Sequence, residues 1–200
     1  MTGERAISLH FKVYSDEPNK VWHAEQQRWH AYDLDTKIAI YADRVRGWFL
    51  DFGRRFTSEH NCGFVVLMIG VSYLEGNQQF RDGESSNKKS KVAFRKAIRR
   101  LFPSISEENA DLVYQAVRNG LFHDAMTKAG VGIGPELPAA LDVDADGKIL
   151  LNPDLFIAAV VADFDQYILE LNSSERADLR VNFERLWDER APSYWVEPET

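Results

Sequence analysis

Arg118, Asn119 and His123 fall within the six-residue run RNGLFH (118–123), which supplies a permanent cation, an amide and a base. An imidazole with an ordinary pKa of about 6.5 can take a proton from a hydroxyl or return one to a leaving oxygen. A guanidinium stays charged and offers paired donors to a phosphate ester as it is attacked. Spacing alone says little. Chance supplies about one Arg-to-His pair at this interval in such a chain, and Arg5–His10 and Arg55–His60 both repeat it. The third pair differs in having Asn directly after Arg and in lying late in a long amphipathic segment.

That segment, SEENADLVYQAVRNGLFHDAM (106–126), reads as one helix. Ser106 is placed to cap it, Glu107 and Glu108 follow in the first turn, and no Pro interrupts it. At helical spacing Ala110, Val113, Val117 and Leu121 form one apolar stripe. Leu112, Ala116, Asn119, His123 and Met126 form a second surface, on which Asn119 can orient the His123 ring across one turn. Arg118 points between the two. Arg118 and His123 are about 140° apart around an ideal helix, so one copy concentrates both on a single phosphate poorly. Two copies across a twofold axis would supply two of each and cover the second surface.

The run VRNGLFHDAM resembles the Arg-Asn-x3-His signature of the HEPN superfamily, with Arg118, Asn119 and His123 at the matching positions. The resemblance covers about residues 36–172. It implies a mainly α, HEPN-like helical bundle of four to five long helices that dimerises and brings two motifs into one cleft. It also implies a metal-independent endoribonuclease acting on single-stranded RNA in a toxin, antiviral defence or RNA-processing system, with a cognate antitoxin or regulatory partner. The alternative is a non-catalytic HEPN-like module for dimerisation or for binding RNA or a nucleotide. Members paired with nucleotidyltransferases carry a Tyr two residues after the His; Ala125 stands there and weighs against that variety. RNA brings its own nucleophile, the 2′-OH, so the products would be a 2′,3′-cyclic phosphate and a 5′-hydroxyl. DNA, which lacks that group, should be inert.

The elements that would position this motif follow from periodicity. Residues 6–14 alternate, with Ile7, Leu9, Phe11 and Val13 on one side, and predict a strand. Residues 15–34 suggest a short helix or ordered loop laid on the bundle through Trp22, Trp29 and Tyr32. A first long helix is predicted over 35–56, with Ile38, Tyr41, Val45, Trp48, Phe49, Phe52 and Phe56 on its apolar face. The second, 60–79, is apolar on nearly all sides and should be the most buried. Glu75 lies near its end, either paired with Arg118 or steadying His123, or else in solvent. A polar loop (81–90) leads to a third helix (91–102) stopped by Pro103. After the motif helix, GVGIGPELP interrupts, and 140–151 reads as a β-hairpin around Asp146-Gly147. Asn152 and Pro153 open a helix to about Leu171, and Ser173 or Ser174 caps a last one through Leu179, Phe183, Leu186 and Trp187. The domain reading is a packing segment at 1–34, a helical domain at 35–188 and an extended tail at 189–200.

Composition bounds the function. At 44% hydrophobic content, 200 residues suffice for one domain with a sizeable core. The single Cys62 rules out an internal disulfide and fits a reducing, cytoplasmic setting. No signal peptide or bilayer-length apolar run is seen, so no membrane partner is expected. A net charge of −7 argues against a generic nucleic-acid binder. Yet residues 88–100 hold seven cations and no acid: Lys88, Lys89, Lys91, Arg95, Lys96, Arg99 and Arg100. They form either a solvated helix face or a track for an RNA backbone beside the cleft. Asp142, Asp144 and Asp146 mimic the start of a calcium loop, but Pro153 stands where the closing Glu should be, so a plain hairpin turn is the better account. His10 and His23 read as surface or edge residues, and His30 and His60 as packing or capping groups. No metal or cofactor is called for.

Overall fold

The computed structural model describes residues 3–17, 19–85 and 89–190. The chain begins with four short strands, β1 (Glu4–Ala6), β2 (Phe11–Tyr14), β3 (Lys20–His23) and β4 (Arg28–Ala31), in one antiparallel sheet of that order. The expected strand over 6–14 is therefore broken. Residues 7–10 turn away, and the Ile7 and Ser8 amides both donate to the Phe11 carbonyl. The helix or loop expected over 15–34 is instead a pair of strands. Val21, opposite His30 in the register, faces inward with Phe11 and Val13. Trp22 and Trp29 pack edge-to-face on each other rather than on the bundle, and Trp29 also meets Tyr14. Only Tyr32 reaches the bundle, where its hydroxyl accepts from the Trp187 indole at 2.7 Å.

Asp33 caps the first helix by accepting from the Thr36 amide at 2.9 Å. The helix runs as α1 (Leu34–Val45), a π-turn (Arg46–Leu50) and α2 (Asp51–Phe56). A π-turn holds an extra residue per turn and so resets which side chains face inward. Leu50 and Gly53 are buried, while Trp48 and Phe52, expected in the core, are exposed. Gly47 lies inside the turn because Leu9 presses against it: a Cβ there would sit 2.8 Å from Leu9 Cδ2. Asp43 ties the sheet to α1 by accepting from Ser8 Oγ, the His10 amide and the His10 ring at 2.5, 2.7 and 2.5 Å. Burial alone would raise its pKa, but those hydrogen bonds hold it below the ordinary carboxylate value.

The second long helix, α3 (Gly63–Asp82), is the centre of the molecule. It packs against α2, α4 (Ser90–Leu101), α7 (Pro153–Asn172) and α8 (Ala177–Arg190). It crosses α7 closely at Gly70, where a Cβ would stand 2.7 Å from the Phe156 ring. The first turn departs from the expected all-round burial, with Phe64 and Val65 exposed. The motif segment forms α5 (Glu107–Val113), a second π-turn (Tyr114–Arg118) and α6 (Asn119–Asp124).

The interrupted region contributes a strand that its Gly and Pro content hid. β5 (Val131–Ile133) pairs parallel to β7 (Ile149–Leu151), which pairs antiparallel to β6 (Leu141–Val143). The hairpin at 140–151 is thus part of a three-stranded sheet. Its turn is closed by Asp144, whose carboxylate accepts from the Asp146 and Lys148 amides, with Gly147 at φ +78°. Asn152 caps α7 through Asp154 N and Leu155 N, and its amide nitrogen donates to the Pro135 and Leu137 carbonyls. One buried side chain thereby starts a helix and pins the preceding loop. Ser173 leads into a 3-10 turn (Ser174–Arg176), and α8 buries Leu179, Phe183, Leu186 and Trp187. Glu189 and Arg190, expected in an extended tail, belong to α8, and the rest of that tail lies outside the described residues. The fold is mainly α, and no helix among the described residues is long and apolar enough to cross a membrane.

Candidate functional site

The motif helix starts as its sequence dictates. Ser106 Oγ accepts from the Asn109 amide at 3.1 Å, and Ala110, Val113, Val117 and Leu121 are all buried. The helix stops earlier than expected. Ala125 takes a left-handed conformation (φ +56°) and ends α6 at Asp124, so Met126 lies beyond the helix. The chain then folds back, and the Lys128 amide donates to the Ala116 carbonyl at 2.9 Å. Gly120, the middle of RNGLFH, is the residue this return requires. A Cβ there would lie 2.6 Å from the Met126 carbonyl oxygen and 3.1 Å from the Lys128 nitrogen. Its signal was a glycine in mid-helix, which usually marks a close backbone approach.

Arg118 closes the π-turn and points toward α3. Its Nη2 donates to Glu75 Oε2 at 3.1 Å, with the two side chains only 20% and 15% exposed. The guanidinium also stacks over Phe122 at 4.9 Å and Tyr114 at 5.6 Å. Its Nε is buried without a hydrogen-bond partner among the described residues. The structure thus brings Glu75 and Arg118 together across 43 residues of sequence. Asn119 is placed differently from the expectation. Its amide nitrogen donates to Gln115 Oε1 at 3.1 Å, and its oxygen faces Arg118 Nη1 at 3.5 Å. His123 stands exposed, and among the described residues nothing hydrogen-bonds its ring. A desolvated, aimed cation and a solvent-open base therefore share one short helix end. Around them Leu112, Phe122 and Met126 leave apolar surface exposed.

The cationic run is not an open track, because acids from other elements face it. Lys91 pairs with Asp111 at 2.8 Å, and Lys96 with Asp82 at 2.9 Å. Arg95 meets both Glu107 and Asp111, and Arg99 reaches Glu107 at 3.7 Å. Arg100 turns into the bundle onto Asp163. Lys89 is exposed, and Lys88 lies outside the described residues. Asp163, which sequence reasoning passed over, also accepts from Tyr73 at 3.0 Å and pairs with Arg81 at 3.4 Å. Burial pushes the Tyr73 hydroxyl well above its ordinary pKa, so it stays a donor. Arg100 is accordingly a core residue with one end at the surface.

Three of the five histidines gather elsewhere, at the seam between the first sheet and α1. His10 lies between Asp43 and Glu25 (2.5 and 3.0 Å), stacked 5.9 Å from His23, which is 5.9 Å from His30. His30 is held below its ordinary pKa by burial and then by the Arg28 and His23 charges. Among the described residues no group of three or more His, Cys, Asp or Glu is arranged to hold a metal ion. No family model, curated protein or solved structure matches the chain.

Proposed function

We propose that this chain is a HEPN-like, metal-independent endoribonuclease acting on single-stranded RNA as a homodimer. The observation that carries the reading is the division of labour at the end of the motif helix. Glu75, Phe122 and Tyr114 hold Arg118 rigid and largely desolvated, while His123 stands open to solvent with a ring free to accept or donate a proton. In the reaction the 2′-oxygen attacks phosphorus, the bond to the 5′-oxygen breaks, and a 2′,3′-cyclic phosphate and a 5′-hydroxyl form. One His123 ring takes the 2′-OH proton and the ring of the second copy protonates the departing 5′-oxygen. Arg118 stabilises the charge gathering on the non-bridging oxygens. Glu75 is a positioning residue that acts through Arg118. A second copy is needed because one copy directs Arg118 toward α3 and His123 outward, and because Leu112, Phe122 and Met126 remain uncovered.

A cleavage assay on single-stranded RNA with EDTA present tests this. Wild type should cut RNA and leave DNA of the same sequence intact, and His123→Ala and Arg118→Ala should each lose at least about a hundredfold in rate. Equal residual cleavage by wild type and His123→Ala would assign the activity to a contaminant. The competing reading, a non-catalytic module that dimerises or binds RNA, is favoured by one observation: Asn119 is engaged with Gln115 and Arg118 rather than with His123. Under that reading RNA would bind without being cut.

A further inference from the structure

Along α4, Asp82, Arg95, Lys96, Arg99, Arg100 and Glu107 line a groove of about 610 Å³, with Arg100 at its inner edge turned onto Asp163. Four acids face the cations of this helix, and they differ sharply in burial. Asp163 is 7% exposed, Asp82 32% and Asp111 36%, but Glu107 is 62% exposed while reaching both Arg95 and Arg99. Two guanidiniums converging on one oxyanion is the arrangement that recognises a phosphate. Here a carboxylate of the protein itself fills the position. Glu107 is held there weakly, because exposed ion pairs gain little and are screened by salt. It can leave by rotating its side chain, with no change in the backbone.

We propose that this groove binds the phosphodiester backbone of single-stranded RNA, and that Glu107 is an internal stand-in for phosphate which RNA displaces. The identity of the polyanion rests on the ribonuclease reading above; the groove and its latch do not. Cations at 95, 96 and 99 extend over about 6 Å of helix, more than one isolated phosphate needs. The stripe Glu75, Gln78 and Asp82 on α3 holds Arg118, Arg100 and Lys96 in turn, so the groove lies two helical turns from the motif's arginine. Glu107 also opens the helix that leads to Arg118 and His123, so an RNA strand entering the groove meets the same element that carries the motif.

The test measures binding of a fluorescent 2′-O-methyl RNA, which has the phosphates but no 2′-OH to react, across a salt series. Glu107→Gln should bind about three- to tenfold tighter than wild type, with a salt slope steeper by about one. Glu108→Gln removes the same charge in the same turn without vacating the groove and should stay within about twofold of wild type. Arg99→Ala should weaken binding and cancel the gain when combined with Glu107→Gln, and it leaves the helix start untouched should Glu107→Gln disturb it. Equal gains for Glu107→Gln and Glu108→Gln would reduce the effect to bulk charge and overturn the proposal, as would no gain or an inert Arg99→Ala. A gain seen only with inorganic phosphate, or only with poly-glutamate, would also overturn it, in favour of a small-anion or acidic-protein site. Because the probe cannot be cut, a protein that binds it as expected yet never cleaves RNA would fail the ribonuclease reading alone.

Discussion

Replacing Glu75 probes the contact on which the motif geometry turns. At 3.1 Å, a unit charge pair in a medium of effective dielectric 20 interacts by about 5 kcal/mol, an upper limit before desolvation is counted. Both side chains are four-fifths or more removed from water, so desolvation offsets most of that, and a net coupling of about 1–2 kcal/mol is expected. Removing one partner costs more than that coupling, because it strands the other charge in a largely buried site, Arg118 among Phe122, Tyr114 and the helix backbone when Glu75 is lost. Glu75→Ala should therefore destabilise the fold by about 2–3 kcal/mol, or about 4–12 °C in melting temperature for a domain of this size. Arg118→Ala should be similar, and the double variant only slightly worse than either. Urea unfolding of the four proteins gives the coupling energy directly. A coupling below about 0.3 kcal/mol would mean that the pair contributes nothing beyond its separate parts and would refute the reasoning. Glu75→Gln keeps the shape but not the charge, and should lower cleavage about tenfold through a misaimed Arg118.

Gly120→Ala should cost about 2–3 kcal/mol despite the better helix propensity of Ala, because the added methyl meets backbone at 126–128 that cannot yield cheaply; a urea midpoint equal to wild type would contradict that close approach. His60→Ala, at the end of the decoy Arg55–His60 pair, should leave cleavage unchanged, and a loss comparable to His123→Ala would move the site to the other end of α3. His30 has a lowered folded pKa, so its contribution to stability is complete above its ordinary 6.5 and is lost as acidification carries pH through that value and then through the lower folded one. Thermal melts between pH 7.5 and 5 should show a decline that is shallower in His30→Gln, and an unchanged decline would assign it to other groups.

Local chemistry was legible in the chain. Ser106 and Asn152 cap the helices their positions foretold, because a side-chain oxygen ahead of an apolar stripe satisfies amides that nothing else can. The buried stripe from Ala110 to Leu121 and the last helix's Leu179, Phe183, Leu186 and Trp187 follow from period alone. Period failed where the helix itself departs from 3.6 residues per turn. The π-turns at 46–50 and 114–118 leave no mark in composition, and the first of them left Trp48 and Phe52 in solvent. The short strands at 20–31 and 131–133 were hidden because three or four residues are too few to show alternation. Charge pairing was the least legible of all. A run of seven cations read as an open face, yet Asp82, Glu107, Asp111 and Asp163 arrive from three other helices to meet it. The sequence determined which residues could do chemistry, since that is a property of side-chain type and local spacing. Which of them are free to do it was decided by tertiary packing, which set Glu75 against Arg118 and left the His123 ring without a hydrogen bond among the described residues.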